Sequence, residues 1–252
     1  MTRHLARPRL LLAAATAILA LAVVGGAVVL GMGSPLPKVD GAMGDRPVPV
    51  IPLVNAAGQP TSLAAFKGTV VVLAPFMTLC HELCPMTTGN FIQLQAQIEK
   101  DGLANRVVLV EATIDPQRDT PARLAAYQKL TGASWTLLTG SPASITALWK
   151  YFGVWYQKVP IASPAPIDWY THAPETYDIN HQDALFFLGP EGNERIALVA
   201  SPDYQGKLEP QLAGMLDAIG VQNLTHPNVP LSWTVRQALD DVSVLLGRHV
   251  AG

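Results

Sequence analysis

The sequence GTVVVLAPF, at residues 68–76, is an uninterrupted apolar run that leads directly to the two cysteines of the chain, Cys80 and Cys84. Runs of this kind, rich in β-branched residues, are typical of strands buried on both faces of a sheet. RVVLVEATI at 106–114 and SWTLLTG at 134–140 have a similar pattern. We therefore predict a buried central strand that ends just before the cysteines, followed by two further strands.

A helical pattern follows each of these strands. The first covers residues 85–100, and the other two, at 120–132 and 141–153, begin with a capping residue and a proline and end at a glycine. Two apolar runs around residues 189–192 predict a hairpin, and a further helix is predicted at 205–219. This alternation predicts an α/β fold with a mixed central sheet flanked by helices. An extended entry or strand is expected at residues 48–54.

The N-terminal part of the chain is predicted to be a membrane anchor. Residues 10–31 contain no charge, and three arginines lie within residues 1–9. Roughly 20 apolar residues in a helix cross a bilayer, and basic residues favour the cytoplasmic side. We expect one transmembrane helix in the cell membrane, with residues 1–9 in the cytoplasm and the globular part outside. The alternative is a cleaved signal peptide, because ALA at 20–22 has the form of a cleavage site.

The remainder is predicted to contain a linker, a domain and an extension. Residues 32–47 are rich in glycine and proline and predict a flexible linker. Residues 48–222 are expected to form the globular domain, in which the proline-rich segment 156–177 has no recognisable pattern. In the extension, 223–252, apolar residues at helical spacing predict a helix docked on the domain, with a partner-binding helix as the alternative. The net charge of −2 and the lack of a basic cluster beyond the anchor argue against nucleic acid as a partner.

Cys80 and Cys84 are predicted to lie where a central strand ends and its helix begins. Reactive groups collect at such strand ends, and a helix N-terminus stabilises a thiolate. Exported thiols usually pair, but a disulfide that closes so small a ring constrains little of the unfolded chain. We therefore expect a redox or metal-binding role for these cysteines rather than a structural one.

Three motifs, LAPFMTLCHELCPMTTGNF, TIDPQRDTPARLAAY and NHQDALFFLGPEG, resemble the Sco/SenC family in their order and spacing, over about residues 48–220. Members of this family are membrane-tethered, thioredoxin-like copper proteins that help to assemble cytochrome c oxidase. The resemblance implies a thioredoxin-like fold and a copper site formed by Cys80, Cys84 and His181. Two thiolates and an imidazole suit Cu(I), and Cu(II) is plausible with an added ligand. The implied partner is the copper-bearing subunit of cytochrome c oxidase or another copper protein.

The chain departs from the family pattern beside its candidate ligands. His81 replaces a common proline after the first cysteine, and it is either a fourth ligand or a solvent-facing residue. Asn180 stands where the family often has aspartate directly before the histidine, and Asp178 lies two residues earlier. This departure argues against an adjacent carboxylate that orients His181.

Several other residues have a structural and a functional interpretation. His172, in the 156–177 segment, is either a surface residue or one that could reach the metal. Asp115 and Asp119 are expected to fix a loop and cap a helix, with a docking face as the alternative. Met77 and Met86 flank the cysteines, but such methionines are usually core residues.

The sequence therefore predicts a copper chaperone that delivers copper to the copper centre of cytochrome c oxidase, or helps to assemble that centre, rather than an enzyme. The alternative is a dedicated thiol-disulfide reductase that keeps the copper-ligand cysteines of a client reduced. A thioredoxin-like peroxidase usually has P-x-x-x-T-x-x-C, and PFMTLC does not fit this spacing. A general disulfide reductase usually has C-x-x-C and a facing proline, and neither is found here.

Overall fold

The computed structural model describes residues 36, 39, 41–161, 163–225 and 231–250. The anchor predicted at 10–31 lies outside these residues. Within them, no helix is both long and apolar enough to span a bilayer.

Twelve strands and six α-helices are found in the described residues. The strands are β1 (Ala42–Pro47), β2 (Leu53–Asn55), β3 (Pro60–Thr61), β4 (Val70–Phe76), β5 (Val107–Thr113), β6 (Thr136–Thr139), β7 (Tyr156–Val159), β8 (Asp178–His181), β9 (Leu185–Leu188), β10 (Asn193–Leu198), β11 (Ser201–Pro202) and β12 (Ser232–Trp233). The helices are α1 (Cys84–Lys100), α2 (Pro121–Thr131), α3 (Pro142–Phe152), α4 (Pro210–Ala213), α5 (Ala218–Thr225) and α6 (Val235–Leu246). A single 3₁₀ turn covers Leu63–Phe66.

The central sheet has the order β1-β10-β9-β4-β5-β6-β2-β3. Strands β4, β5 and β6 are parallel to one another, whereas β9 is antiparallel to β4. All residues of β4 are buried, as its β-branched apolar sequence predicts. The α/β fold with a mixed sheet is therefore confirmed, and the hairpin predicted around residues 189–192 is the β9–β10 pair.

The predicted caps define the ends of α2 and α3. The side chain of Thr120 accepts a hydrogen bond from the backbone N–H of Arg123 at the start of α2, and Ser141 does the same at the start of α3. Both helices end at a glycine in the left-handed conformation, Gly132 with φ 75° and Gly153 with φ 73°. These local signals were sufficient to predict both helices.

The linker predicted at 32–47 is corrected at its C-terminal end. Residues 42–47 form β1, which pairs antiparallel with β10 at the edge of the sheet. Arg46 forms an ion pair with Glu194 on that strand. The pairing joins backbone groups of residues far apart in sequence. Because the segment is rich in glycine and proline, its sequence does not predict a strand.

Two further boundaries differ from the prediction. Of the expected 48–54 strand, only Leu53 and Val54 pair with the sheet, in β2, which continues to Asn55. Pro49 and Pro52 have no N–H to donate. The helix predicted at 205–219 is replaced by the short helices α4 and α5. Between them the backbone turns, and the N–H of Asp217 donates to the carbonyl of His81.

The C-terminal extension packs on the domain, in agreement with the docked-helix prediction. Trp233 of β12 is 1% exposed and its ring lies 6.4 Å from that of Phe91 on α1. Thr234 and Gln237 form a capping box at the start of α6, whose Leu239 and Val242 are buried. Each such buried side chain contributes about 1.5–3 kcal/mol. The extension is thus part of the hydrophobic core.

Candidate metal centre

The two cysteines lie on a short loop between β4 and α1. Cys84 is the first residue of α1, and its backbone N–H donates to Sγ of Cys80 across 3.3 Å. Both cysteines are free and buried, with 7% of Cys80 and 2% of Cys84 exposed. Pro85 occupies the first helical turn, where a missing N–H is harmless. The local sequence thus directs one thiol to a helix N-terminus and the other toward its free N–H groups.

His181, the last residue of β8, faces this loop from the opposite side. Its Nε2 atom is 3.5 Å from Sγ of Cys84. The two sulfurs and one imidazole nitrogen lie within 4.8 Å of one another, so that one ion placed among them would contact all three. Among the described residues, this is the one group of three or more His, Cys, Asp or Glu side chains with such convergent donor atoms.

The protonation states of the three donors are linked. A hydrogen bond with Cys84 and the proximity of His181 lower the pKa of Cys80 despite its burial. Burial and the adjacent Cys80 thiolate raise the pKa of Cys84 well above its usual range. Burial lowers the pKa of His181, but Cys80 and Asp183 outweigh this effect and raise it to about 9. In the metal-free protein these shifts favour the thiolate form of Cys80 and the protonated form of His181.

Asp119 secures the loop that leads to the cysteines. Its carboxylate accepts hydrogen bonds from the backbone N–H of Thr78 (3.3 Å), from the Thr78 hydroxyl (2.5 Å) and from the hydroxyl of Thr113 (2.5 Å). Asp115 is likewise buried, and it binds the side chain of Arg118. The loop-fixing role expected for the two aspartates is thus observed, and neither residue is exposed as a docking face would require.

The 156–177 segment, for which sequence gave no prediction, is fixed over the same loop. Its first residues form β7, which pairs with β8, so that Tyr156 lies opposite His181. The indole N–H of Trp169 donates to the carbonyl of Thr78 across 2.9 Å. Asp168 forms a bidentate ion pair with Arg123 of α2, with N–O distances of 2.8 and 2.5 Å, and both side chains are largely buried. The segment is therefore a wall of the site.

His81, between the two cysteines, is bound by residues outside the donor group. Its Nε2 atom is 2.6 Å from Oε1 of Glu175, and its Nδ1 atom is 2.8 Å from the carbonyl of Met215. The hydrogen bond with Glu175 raises the pKa of His81 to about 9. With both nitrogens occupied, the imidazole has no free lone pair for a metal. His172 is exposed and does not join the donor group.

A pocket of about 430 Å³ gives access to the centre. Cys80 and His181 line it, whereas Cys84 lies behind them. Four acidic residues, Glu82, Asp178, Asp183 and Asp217, also line the pocket. Met77 lies on its wall, and Met86 is 1% exposed in the core, so both methionines are buried. The sulfur of Cys80 and the imidazole of His181 are thus accessible from the pocket, whereas the sulfur of Cys84 is not.

The close packing of α5 on the loop depends on one glycine. A Cβ atom on Gly220 would lie 2.3 Å from the carbonyl oxygen of His81, a distance that no side chain could accept without displacement of the loop. Glycine is therefore required for α5 to approach the cysteine loop this closely.

Asp183 is the site residue that the sequence analysis missed. Its Oδ1 atom lies 3.9 Å from Nδ1 of His181, and its Oδ2 atom accepts a hydrogen bond from the Ser201 hydroxyl. Burial raises the pKa of Asp183 to about 6. Asp178, the acid considered from sequence, instead accepts from the backbone N–H of Ile179. The signal was present in NHQD, two residues after the histidine rather than before it.

A mixed sheet with a C-x-x-x-C loop between its central strand and a helix, faced by a histidine, defines a thioredoxin-like protein with a soft-metal donor set. The family model described as SCO1/SenC matches residues 51–217, which is more than half of the chain. The chain therefore belongs to the SCO1/SenC family, as the three sequence motifs implied.

Known relatives agree with this assignment. The chain is 30% identical over 151 residues to a Stutzerimonas stutzeri protein named "Putative copper-binding protein". The aligned region covers 60% of this chain and 68% of that protein. It is 28% identical to the mitochondrial protein SCO2 homolog of Mus musculus, over 56% of this chain and 51% of that protein. The chain thus spans about half the length of this second relative.

The crystal structure of Arabidopsis thaliana ScoI with copper bound has a similar fold. The TM-score is 0.51 and the sequence identity is 22%, over 59% of this chain and 85% of that chain. At this identity the similarity is one of fold alone.

Proposed function

We propose that this chain binds one copper ion through Cys80, Cys84 and His181 and delivers it to the copper centre of cytochrome c oxidase or helps to assemble that centre. The observation that carries the proposal is the convergence of the three donor atoms within 4.8 Å. Family membership and the name of the Stutzerimonas stutzeri relative support copper as the metal.

The donor set favours copper on chemical grounds. Thiolates are soft ligands and imidazole is intermediate, and together they suit Cu(I) better than the hard ions Mg²⁺ and Ca²⁺. Cys80 is already disposed to be a thiolate, whereas Cys84 and His181 must release protons when they bind the metal. A fourth ligand is not required for Cu(I), which is consistent with His81 being bound to Glu175.

The pocket supports a role in delivery rather than in storage. Cys80 and His181 line the pocket, so the ligands of a client could replace them while Cys84 still holds the ion from behind. The partner on this proposal is the copper-bearing subunit of the oxidase or another copper protein. Acidic residues around the opening would favour a client surface that carries positive charge.

We further propose that residues 10–31 anchor the chain in the cell membrane, with the N-terminus in the cytoplasm and the domain outside. The length of the apolar run and the preceding arginines support this topology. A reporter active only outside the cytoplasm, fused after Gly252, should be active. Recovery of a fully soluble protein with a new N-terminus near Val23 would instead establish a cleaved signal peptide.

Metal analysis of the reduced protein, supplied with Cu(I) without oxygen, tests the binding step. We expect one equivalent of copper per chain, and none after Cys80→Ser or Cys84→Ser, because a hydroxyl is a poor ligand for Cu(I). Full Cu(I) occupancy in either serine variant would overturn the site. Oxidation to a Cys80–Cys84 disulfide should likewise abolish binding.

The second candidate is a thiol-disulfide reductase dedicated to one client. The observation in its favour is that Cys80 combines a lowered pKa with a position on the pocket wall, which suits attack on a disulfide. Thiol exchange does not need an imidazole ligand, although His181 helps to lower the pKa of Cys80. His181→Ala therefore separates the two functions once the rate at which its Cys80 attacks a small disulfide is shown to be close to that of wild type. Cells with this variant at normal abundance should lose oxidase activity if copper delivery is the function and retain it if the reductase is.

A further inference from the structure

Asp183 lies on the edge of the His181 ring that faces away from the sulfurs. The distance from its Oδ1 atom to Nδ1 of the imidazole is 3.9 Å, and the carbonyl of Gln182 lies 3.2 Å from the same nitrogen. On the other edge of the ring, Nε2 is 3.5 Å from Sγ of Cys84. The Gln182 carbonyl is therefore within hydrogen-bond distance of Nδ1 and the Asp183 carboxylate lies in ion-pair range of it, while Nε2 faces the metal donors.

We propose that Asp183 is a positioning residue of the copper site, which keeps a proton on Nδ1 of His181 and thereby leaves Nε2 free to bind copper. The inference rests on the proposed function and adds a residue to it. A metal-binding histidine generally donates its second N–H to a carboxylate or a carbonyl, and this partner fixes the tautomer and the ring orientation. Here the Gln182 carbonyl is the hydrogen-bond partner, and the negative charge of the Asp183 carboxylate 3.9 Å from Nδ1 favours the proton on that nitrogen.

Asp183 is itself held in place by Ser201, whose strand is supported from outside the segment that the family model matches. The hydroxyl of Ser201 donates to its Oδ2 atom across 3.2 Å. Ser201 belongs to β11, which pairs with β12, and its backbone N–H donates to the carbonyl of Leu231. Strand β12 lies beyond residue 217, where the family match ends. The C-terminal extension thus supports the strand that orients the carboxylate.

Direct coordination by Asp183 does not fit the geometry. An ion bound to Nε2 lies on the opposite side of the ring from Nδ1, and Oδ1 of Asp183 is on the Nδ1 side. Asp178 provides a matched control, because it also lines the pocket but accepts its hydrogen bond from the N–H of Ile179. Both aspartates can be replaced by the isosteric asparagine.

The experiment compares Asp183→Asn, Asp178→Asn and wild type in the reduced protein, with Cu(I) partitioned between protein and a chelator. Loss of an outer-shell partner typically weakens metal binding by about 10- to 100-fold, so we expect a loss of about tenfold or more for Asp183→Asn and less than about twofold for Asp178→Asn. In the Cu(I)-bound protein, the ¹⁵N chemical shift of His181 Nδ1 should change only in Asp183→Asn.

Ser201→Ala supplies a second variant that leaves the carboxylate in place. It should give a smaller loss of Cu(I) affinity, and combining it with Asp183→Asn should add nothing further, because both act through one interaction. If Asp183→Asn lowers the unfolding midpoint of the metal-free protein, the affinity of Ser201→Ala decides the question.

Wild-type affinity with an unchanged His181 shift in Asp183→Asn would overturn the proposal, as would equal losses in Asp183→Asn and Asp178→Asn or an unaltered affinity in Ser201→Ala. A wild-type protein that binds no Cu(I) would instead refute the proposed function, and the positioning role with it.

Discussion

The imidazole of His81 is bound to the carboxylate of Glu175, with Nε2 and Oε1 2.6 Å apart, although His81 lies between two candidate copper ligands in sequence. Glu175 also contacts Arg118, so one buried carboxylate connects the cysteine loop to the segment that covers it. The imidazole of His81 is therefore a structural contact and not an additional nitrogen donor to the site.

Replacement of His81 should therefore have little effect on copper. We expect His81→Gln to bind Cu(I) with an affinity within about threefold of wild type, whereas His181→Gln should lose more than the 10- to 100-fold typical of an outer-shell change. Chelator competition on the reduced proteins measures both. A similar loss in the two variants would make His81 a ligand and contradict the geometry.

The apparent Cu(I) affinity should rise with pH. Cys84 has a pKa above its usual range and His181 has a pKa of about 9, so both carry protons at neutral pH that copper must displace. Each released proton adds about a tenfold gain in affinity per pH unit below the pKa concerned. The slope between pH 6 and 8 should be shallower by about one proton in His181→Ala, and a flat wild-type profile would contradict the assignment.

Glu111 is a fully buried acid in the middle of β5. Its Oε1 atom accepts from the Thr88 hydroxyl (3.0 Å) and its Oε2 atom from the indole N–H of Trp135 (2.9 Å). Burial raises its pKa to about 7, from an ordinary value of 4.5. Since the folded state then binds a proton more tightly than the unfolded state does, this group contributes stability at low pH that is lost as the pH rises toward 7.

Glu111→Gln should remove this dependence. The difference in pKa corresponds to about 3 kcal/mol. At pH 8 the unfolding free energy of the variant should exceed that of wild type by nearly this amount, and at pH 4.5 the two values should be nearly equal. The new amide can donate to Thr88, whose hydroxyl contacts Tyr127, and accept from Trp135. Urea unfolding of the reduced, metal-free proteins at both pH values tests the prediction. An equal gain in unfolding free energy at both pH values would refute the prediction.

The Arg123–Asp168 ion pair should be important for the wall of the site. Removal of one partner from a buried pair costs about 3–5 kcal/mol, and we expect Arg123→Met to lose roughly 3 kcal/mol and to expose the 156–177 segment to proteolysis. The exposed pair Arg236–Asp240 gives the control, since Arg236→Met should cost less than about 1 kcal/mol. Equal losses in the two variants would show that the buried pair has no special role.

Local patterns were sufficient for much of the fold. The β-branched runs predicted β4 and β5, and the caps at Thr120 and Ser141 predicted two helices, because such signals depend on neighbours in sequence. The position of Cys80 and Cys84 at a strand–helix junction followed in the same way. Assignment of His181 depended on resemblance to a family, since a single histidine has no pattern of its own.

The remaining features depend on contacts between residues distant in sequence. Glu175 meets His81 across 94 positions, and Asp168 meets Arg123 across 45. A proline-rich stretch has no periodicity that would reveal such pairs. Asp183 was not predicted because the family pattern has its carboxylate directly before the histidine, whereas here the backbone turns after β8 and brings a later carboxylate to the ring.

Strand β1 has a consequence for how the protein behaves in solution. It covers the backbone N–H and C=O groups that β10 would otherwise present at the border of the sheet. Uncovered borders of this kind recruit strands from other molecules. A chain shortened to begin at Val48, the predicted start of the domain, would keep every candidate copper ligand but would leave the edge of β10 unpaired. Strand β1 becomes the border strand in place of β10, but its register shift between Met43 and Arg46 and the missing N–H of Pro47 make it a poorer template for such pairing. We therefore expect the short strand beside the predicted tether to protect the molecule against aggregation.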